Sequence, residues 1–100
     1  MSHRVSERAA ADLDDIWYYV AKESLSLEIA NRLIDSITDM FLLLARQPYL
    51  GRSRDDDFGE RSRSLSVGEY VIVYRVDNDK NVLILRVAHG RRDLQALFGK

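Results

Sequence analysis

SRSLSVGEYVIVYRVDNDKNVLILRVAHG, residues 62–90, decides the fold. Ser62, Ser64 and Ser66 alternate with Arg63, Leu65 and Val67, the two-residue period of a strand. Gly68-Glu69 is a tight turn, and Tyr70 to Val76 is a run of β-branched and aromatic residues, the composition a pleated surface favours. Asp77 to Asn81 supplies a hairpin loop, and Val82 to Ala88 the next strand, closed by His89-Gly90. Three strands joined this closely form an antiparallel meander. On strict alternation Tyr70, Ile72 and Tyr74 share one face and Val71 and Val73 the other, while Val82 and Ile84 oppose Leu83, Leu85 and Val87. Both faces then read as apolar, although an antiparallel sheet with one wet face shows polar alternation there. A second cover is expected: a short terminal helix over Arg91 to Phe98, another copy of the chain, or a partner.

Outward from the meander, the N-terminal half reads as helix. His3-Arg4-Val5 is a short, weak strand, and Ser6 is an N-cap with Glu7 in the favourable first turn. Ala9, Ala10, Leu13, Ile16, Trp17 and Val20 then recur at three- and four-residue steps. Lys22-Glu23-Ser24 ends this helix and Ser26 caps the next. Ala30, Leu33, Ile34, Ile37, Met40, Phe41, Leu44 and Ala45 form the second stripe, stopped by Pro48 and the turn at Gly51. The short link makes the two an antiparallel helical hairpin. Residues 52–61 carry charge without a period and read as a loop. The expected architecture is α+β, in the order β-α-α-β-β-β-α: a small antiparallel sheet packed against a helical hairpin, as a single domain over 1–100.

Composition narrows the function. The chain has 46% apolar and 31% charged residues with one proline, which is the make-up of a folded domain. The absence of cysteine excludes disulfides, thiol chemistry and cysteine-ligated zinc. His3 and His89 stand too far apart in sequence to suggest a metal-ligand cluster, and no cofactor motif occurs. The longest apolar run, Met40 to Ala45, is far short of a membrane span, so the expectation is a cytoplasmic protein. A net charge of −1 argues against binding nucleic acid by bulk charge. That balance hides a division: residues 1–50 hold five bases and eight acids, residues 51–100 ten bases and eight acids. Twelve of the fifteen bases are arginine, whose planar fork suits specific recognition.

The densest chemistry is Arg86-Val87-Ala88-His89-Gly90-Arg91-Arg92-Asp93. With Arg63 and Arg75 on neighbouring strands, guanidinium groups are expected to converge at the open end of the sheet. Such a cluster fits three roles: holding phosphate with His89 as acid or base, pairing with a protein partner's carboxylates, or pairing internally. Asp12, Asp14 and Asp15 read as a solvated face near the start of the first helix.

The order and spacing of these segments resemble the RelE/ParE superfamily of type II toxins. The resemblance rests on Arg63-x-Leu65-x-Val67-Gly68-x-Tyr70-x-Ile72-x-Tyr74-Arg75-Val76, then Val82-x-Ile84-Leu85-Arg86-Val87-x-His89-Gly90-Arg91-Arg92-Asp93. Ala10-Ala11-Asp12-Leu13-x-x-Ile16-Trp17-x-Tyr19 and Pro48-x-x-Gly51-Arg52 extend it to the front half. In that superfamily the RelE branch cleaves messenger RNA in the ribosome, and the ParE branch poisons DNA gyrase without known catalysis. Where the RelE pattern places two lysines on the second strand, this chain has Ser62 and Ser64; where it places an arginine, Val71; where it places a terminal tyrosine, Phe98. Only Arg92 keeps its type. The resemblance therefore implies the ParE-like branch: a gyrase inhibitor neutralised by a ParD-like antitoxin and reaching DNA only through that antitoxin. It implies a toxic surface at Arg63, Arg86, His89, Arg91 and Arg92, and an antitoxin-facing set of Trp17, Tyr18, Tyr19 and Tyr74. The alternatives are a RelE-like ribosome-dependent endonuclease and a non-toxic relic acting as antitoxin partner and co-repressor.

Overall fold

The computed structural model describes residues 2–91; the expected terminal helix, with Arg92 and Phe98, lies outside them apart from Arg91. The elements run β1 (His3–Val5), α1 (Glu7–Ser24), α2 (Leu27–Arg46), β2 (Arg52–Ser53), α3 (Asp55–Phe58), β3 (Ser62–Val67), β4 (Tyr70–Val76) and β5 (Val82–His89). The strands form one sheet in the order β1-β5-β4-β3-β2. The β3-β4-β5 meander and the helical hairpin follow the sequence reading. β1 pairs parallel to β5, with Arg4 opposite Leu83.

Both predicted caps form. The Ser6 hydroxyl oxygen accepts from the Ala9 amide at 3.0 Å, and that of Ser26 accepts from Ile29 at 3.1 Å. Each satisfies an amide that the first helical turn leaves without a partner. α1 and α2 lay their stripes on one face of the sheet, where Ile16, Ile37, Phe41 and Leu44 meet Tyr70, Ile72, Tyr74, Val76, Val82, Ile84 and Val87.

Val87 in that core corrects the alternation expected of β5. A bulge between the β4 and β5 ladders sets Val73 opposite Arg86 but Tyr74 opposite Ile84. Leu85 is the extra residue, and the insertion turns Val87 to the same face as Ile84. The outer face, away from the helices, is correspondingly less apolar than expected. Its register rows are Arg4, Leu83, Arg75 and Ser62, then Arg86, Val73 and Ser64, then Ala88, Val71 and Ser66.

Residues 52–61 also depart from the expected loop, since they hold β2 and α3. β2 adds to the edge of β3, with Arg52 opposite Ser64. α3 folds back over the outer face: the Ser62 hydroxyl donates to the Arg54 carbonyl at 2.8 Å, and Arg54 Nε donates to the Ser64 hydroxyl at 2.7 Å. Ser62 and Ser64 are thereby buried. Small hydroxyl side chains fit under this cover and keep their hydrogen bonds.

Candidate binding surface

β4 and β5 end together, with Tyr70 opposite His89. The Gly90 amide donates to the Glu69 carbonyl at 2.7 Å, closing the end of the ladder. A Cβ at Gly90 would stand 3.3 Å from that carbonyl, so glycine suits the close approach. His89 Nε2 lies 3.1 Å from Glu69 Oε1, and its ring meets Tyr70 edge-on at 5.3 Å. Arg91 follows, exposed. His89, Gly90 and Arg91 border a hollow of about 560 Å³ with Ser66, Glu69 and Val71.

The other expected members of the arginine cluster do not join this end. Arg63 lies opposite Tyr74 on the helix-facing side, at the far end of the ladder from Tyr70. Its guanidinium donates to the carbonyls of Tyr49 and Gly51 and stands 5.1 Å from the centre of the Tyr49 ring. Arg75 points to the outer face, because its register partners are Ser62 and Leu83. The expected convergence is corrected by strand pleating, which sends Arg63 and Arg75 to opposite sides of the sheet.

Arg86 is engaged internally. Its Nε and Nη2 reach the two carboxylate oxygens of Asp12 at 2.9 and 3.1 Å, and the Val87 amide donates to the same carboxylate at 2.9 Å. Asp12 thus departs from the solvated reading: its side chain is only 14% exposed. β1 ends at Val5, so that among the described residues the rest of β5 has no strand partner on that side, and Ser6 and Asp12 take its place. The Ser6 amide donates to the Ile84 carbonyl and its hydroxyl to the Leu85 carbonyl. A cap residue and one carboxylate therefore close the sheet edge at the bulge.

The aromatic set divides. Tyr18 and Tyr19 are exposed, and Trp17 is half-buried with its indole N–H donating to Asn31 at 2.7 Å. Tyr74 is fully buried, which corrects its place among partner-facing residues. Its hydroxyl donates to the Pro48 carbonyl and accepts from the Gly51 amide, both at 2.8 Å. Burial pushes its pKa above the usual tyrosine value, against the lowering effects of the Gly51 amide and the Arg63 charge. Leu25, Leu27 and Ile29, exposed at the hairpin tip, were not singled out by the sequence reading. Their signal was that they are apolar yet stand outside both stripes.

Among the described residues no group of three or more His, Cys, Asp or Glu could hold a metal ion, and no helix is long and apolar enough to cross a membrane. A family profile described as the ParE toxin of type II toxin-antitoxin system, parDE, matches residues 4–94. The chain belongs to the ParE toxin family. It is 34% identical to Toxin ParE3 of Caulobacter vibrioides over 91 residues, covering 91% of this chain and 88% of that relative. It is 32% identical to Toxin ParE1 of the same organism over 97 residues, 97% of each chain. A structure of the chromosomal ParDE toxin-antitoxin system from P. aeruginosa superposes with a TM-score of 0.74 at 25% identity, covering 89% of this chain and 95% of that one. The toxin-antitoxin complex RelBE2 from Mycobacterium tuberculosis shares the fold, with a TM-score of 0.64 at 24% identity over 88% and 95% of the two chains. In this ParE-family chain Ser62, Ser64 and Val71, which the sequence resemblance sets where RelE has basic residues, are all buried.

Proposed function

We propose that this chain is the toxin of a type II toxin-antitoxin pair, acting in the cytoplasm by binding and inhibiting DNA gyrase, with no catalytic step of its own. A ParD-like antitoxin neutralises it, and DNA is contacted only through that antitoxin. Membership of the ParE family supports the toxin reading. The observation that carries the choice of gyrase over message cleavage is the state of the RelE-aligned positions. Ser62 and Ser64 lie under α3 and Val71 is buried, so none offers a base or a cation to a phosphodiester. General acid–base groups contribute roughly 10²–10⁴-fold to such reactions. The binding surface on this reading is the β4-β5 end, where His89 and Arg91 stand beside Glu69, with Tyr18 and Tyr19 facing the antitoxin.

A second reading, ribosome-dependent cleavage, rests on the His89–Glu69 pair, which orients a half-buried imidazole beside an exposed carboxylate. It lacks the support of Arg63 and Arg86, which are bound elsewhere. Two assays on purified toxin separate the readings: DNA supercoiling by gyrase, and cleavage of message on programmed ribosomes. Loss of supercoiling at stoichiometric toxin with intact message is expected. Unaffected supercoiling overturns the proposal; silence in both assays leaves a relic that serves as antitoxin partner and co-repressor.

A further inference from the structure

The end of the sheet opposite Tyr70 and His89, where the Val76 amide donates to the Arg61 carbonyl, holds a hollow of about 370 Å³. Arg61 and Arg63 border it, together with Tyr49, Ser53 and Asn78. Arg61 stands just before β3 with φ 67°, in the left-handed region where a Cβ is unfavourable. Glycine takes that conformation without the cost, so what arginine contributes there is its side chain. Its guanidinium donates to the side-chain oxygen of Asn78 in the β4-β5 loop. That of Arg63 donates to the Tyr49 and Gly51 carbonyls. Every one of these bonds is made through Nη1. A guanidinium carries five N–H donors, so Nε and Nη2 of both arginines keep theirs open among the described residues.

Two carboxylates border the same hollow, and both are occupied in turning the chain. Asp55 Oδ1 accepts from the Arg61 amide at 3.1 Å and from the Ser53 hydroxyl at 3.4 Å. Asp77 Oδ1 accepts from the Asp79 and Asn81 amides at 2.8 and 2.9 Å.

We propose that this hollow binds one phosphate group of a small phosphorylated molecule, held by the open donors of Arg61 and Arg63. Planar guanidinium forks match phosphate oxygens in geometry as well as charge. The two aspartates set the size of the ligand. A single phosphate meets the arginines, whereas the continuous charge of a nucleic-acid strand would run against Asp55 and Asp77 as well. A metal ion fits poorly, because two guanidinium groups share the space with the two carboxylates. The site lies away from the β4-β5 end and does not depend on which target the toxin has.

The test is NMR titration of the full chain with inorganic phosphate, read at the arginine Nε–H signals, with sodium chloride at matched ionic strength as the control. Wild type is expected to show saturable shifts at Arg61 and Arg63 with a Kd on the order of 1–10 mM, which chloride does not reproduce. Arg61→Gly removes the cation and relaxes the left-handed backbone. Asn78→Asp, in an exposed loop, gives Arg61 an internal carboxylate in place of the ligand. Each is expected to weaken phosphate binding by about 10-fold or more, the worth of a charge-assisted hydrogen bond. Urea unfolding checks the fold of both, and if Arg61→Gly unfolds, Asn78→Asp still decides. Absence of saturable shifts in wild type, or phosphate binding unchanged in both folded variants, overturns the site. A linear drift shared by exposed arginines marks the ionic atmosphere and overturns it equally. If a single-stranded oligonucleotide binds at these arginines more tightly per phosphate than inorganic phosphate does, the small-ligand proposal falls.

Discussion

Replacing Asp12 by alanine tests the clamp that holds β5 to α1. The carboxylate accepts from two guanidinium nitrogens of Arg86 and from the Val87 amide, at 2.9, 3.1 and 2.9 Å. Breaking a fully buried ion pair costs about 3–5 kcal/mol, and an exposed pair contributes about 0–1 kcal/mol. This pair lies between those limits, with side chains 14% exposed for Asp12 and 30% for Arg86. The Val87 amide raises the cost, because Val87 is only 2% exposed and an orphaned buried donor costs about 1–3 kcal/mol. We expect Asp12→Ala to lose about 2–3 kcal/mol, measured as a lower urea midpoint at unchanged slope. For a domain of this size that corresponds to a fall in Tm of about 10 °C or more. Asp12→Asn keeps one acceptor oxygen and should lose about half as much. A double-mutant cycle with Arg86→Met separates the ion pair from the amide bond, which Arg86→Met leaves in place. A loss below about 0.5 kcal/mol for Asp12→Ala, the level of an ordinary surface change, refutes the clamp.

Four further outcomes are expected. Gly51→Ala would place a Cβ 2.6 Å from the Ser64 carbonyl and 2.7 Å from the Tyr74 hydroxyl, so chemical denaturation should show a loss of about 1–3 kcal/mol. Tyr74 keeps its proton in the folded protein above the usual tyrosine value of 10.0, so its contribution is complete below that pH and fades as pH rises past it; Tyr74→Phe should flatten the alkaline limb of a stability-versus-pH curve. Leu25 caps α1 in the left-handed region at φ 56° and is 90% exposed, so Leu25→Gly should raise stability by about 0.5–1 kcal/mol in urea titrations. His89→Ala should weaken gyrase inhibition by no more than about 10-fold, as one contact in a broad interface, whereas a nuclease relying on that imidazole should slow by roughly 10²–10⁴-fold in message cleavage.

The meander, both helices and both serine caps were legible in the sequence because each obeys a local rule of period or capping. The departures come from contacts between segments distant in sequence. Leu85 looks like one more alternating apolar residue; only the hydrogen bonds of Ser6 and Asp12 to this stretch show how the bulge is held. Residues 52–61 lack a period because β2 is two residues long and α3 four, too short for periodicity to register. Tyr74 reads as an exposable aromatic until the Pro48 carbonyl and Gly51 amide are seen to satisfy its hydroxyl. In the arginine cluster, neighbouring strands suggest convergence, but pleating separates Arg63 from Arg75, and Asp12 engages Arg86 from 74 residues away.

That separation bears on how one fold serves different targets. A catalytic site needs several charged groups within hydrogen-bond reach of one phosphodiester, and small errors in placement are costly. Here the guanidinium groups are distributed: Arg63 over the Tyr49 ring, Arg86 on Asp12, Arg75 on the outer face and Arg91 at the strand end. A protein target imposes no requirement to converge on one bond, since an interface draws on contacts spread over hundreds of square ångströms. On the proposed gyrase-binding reading, burying Ser62 and Ser64 beneath α3 takes nothing from the surface at the β4-β5 end.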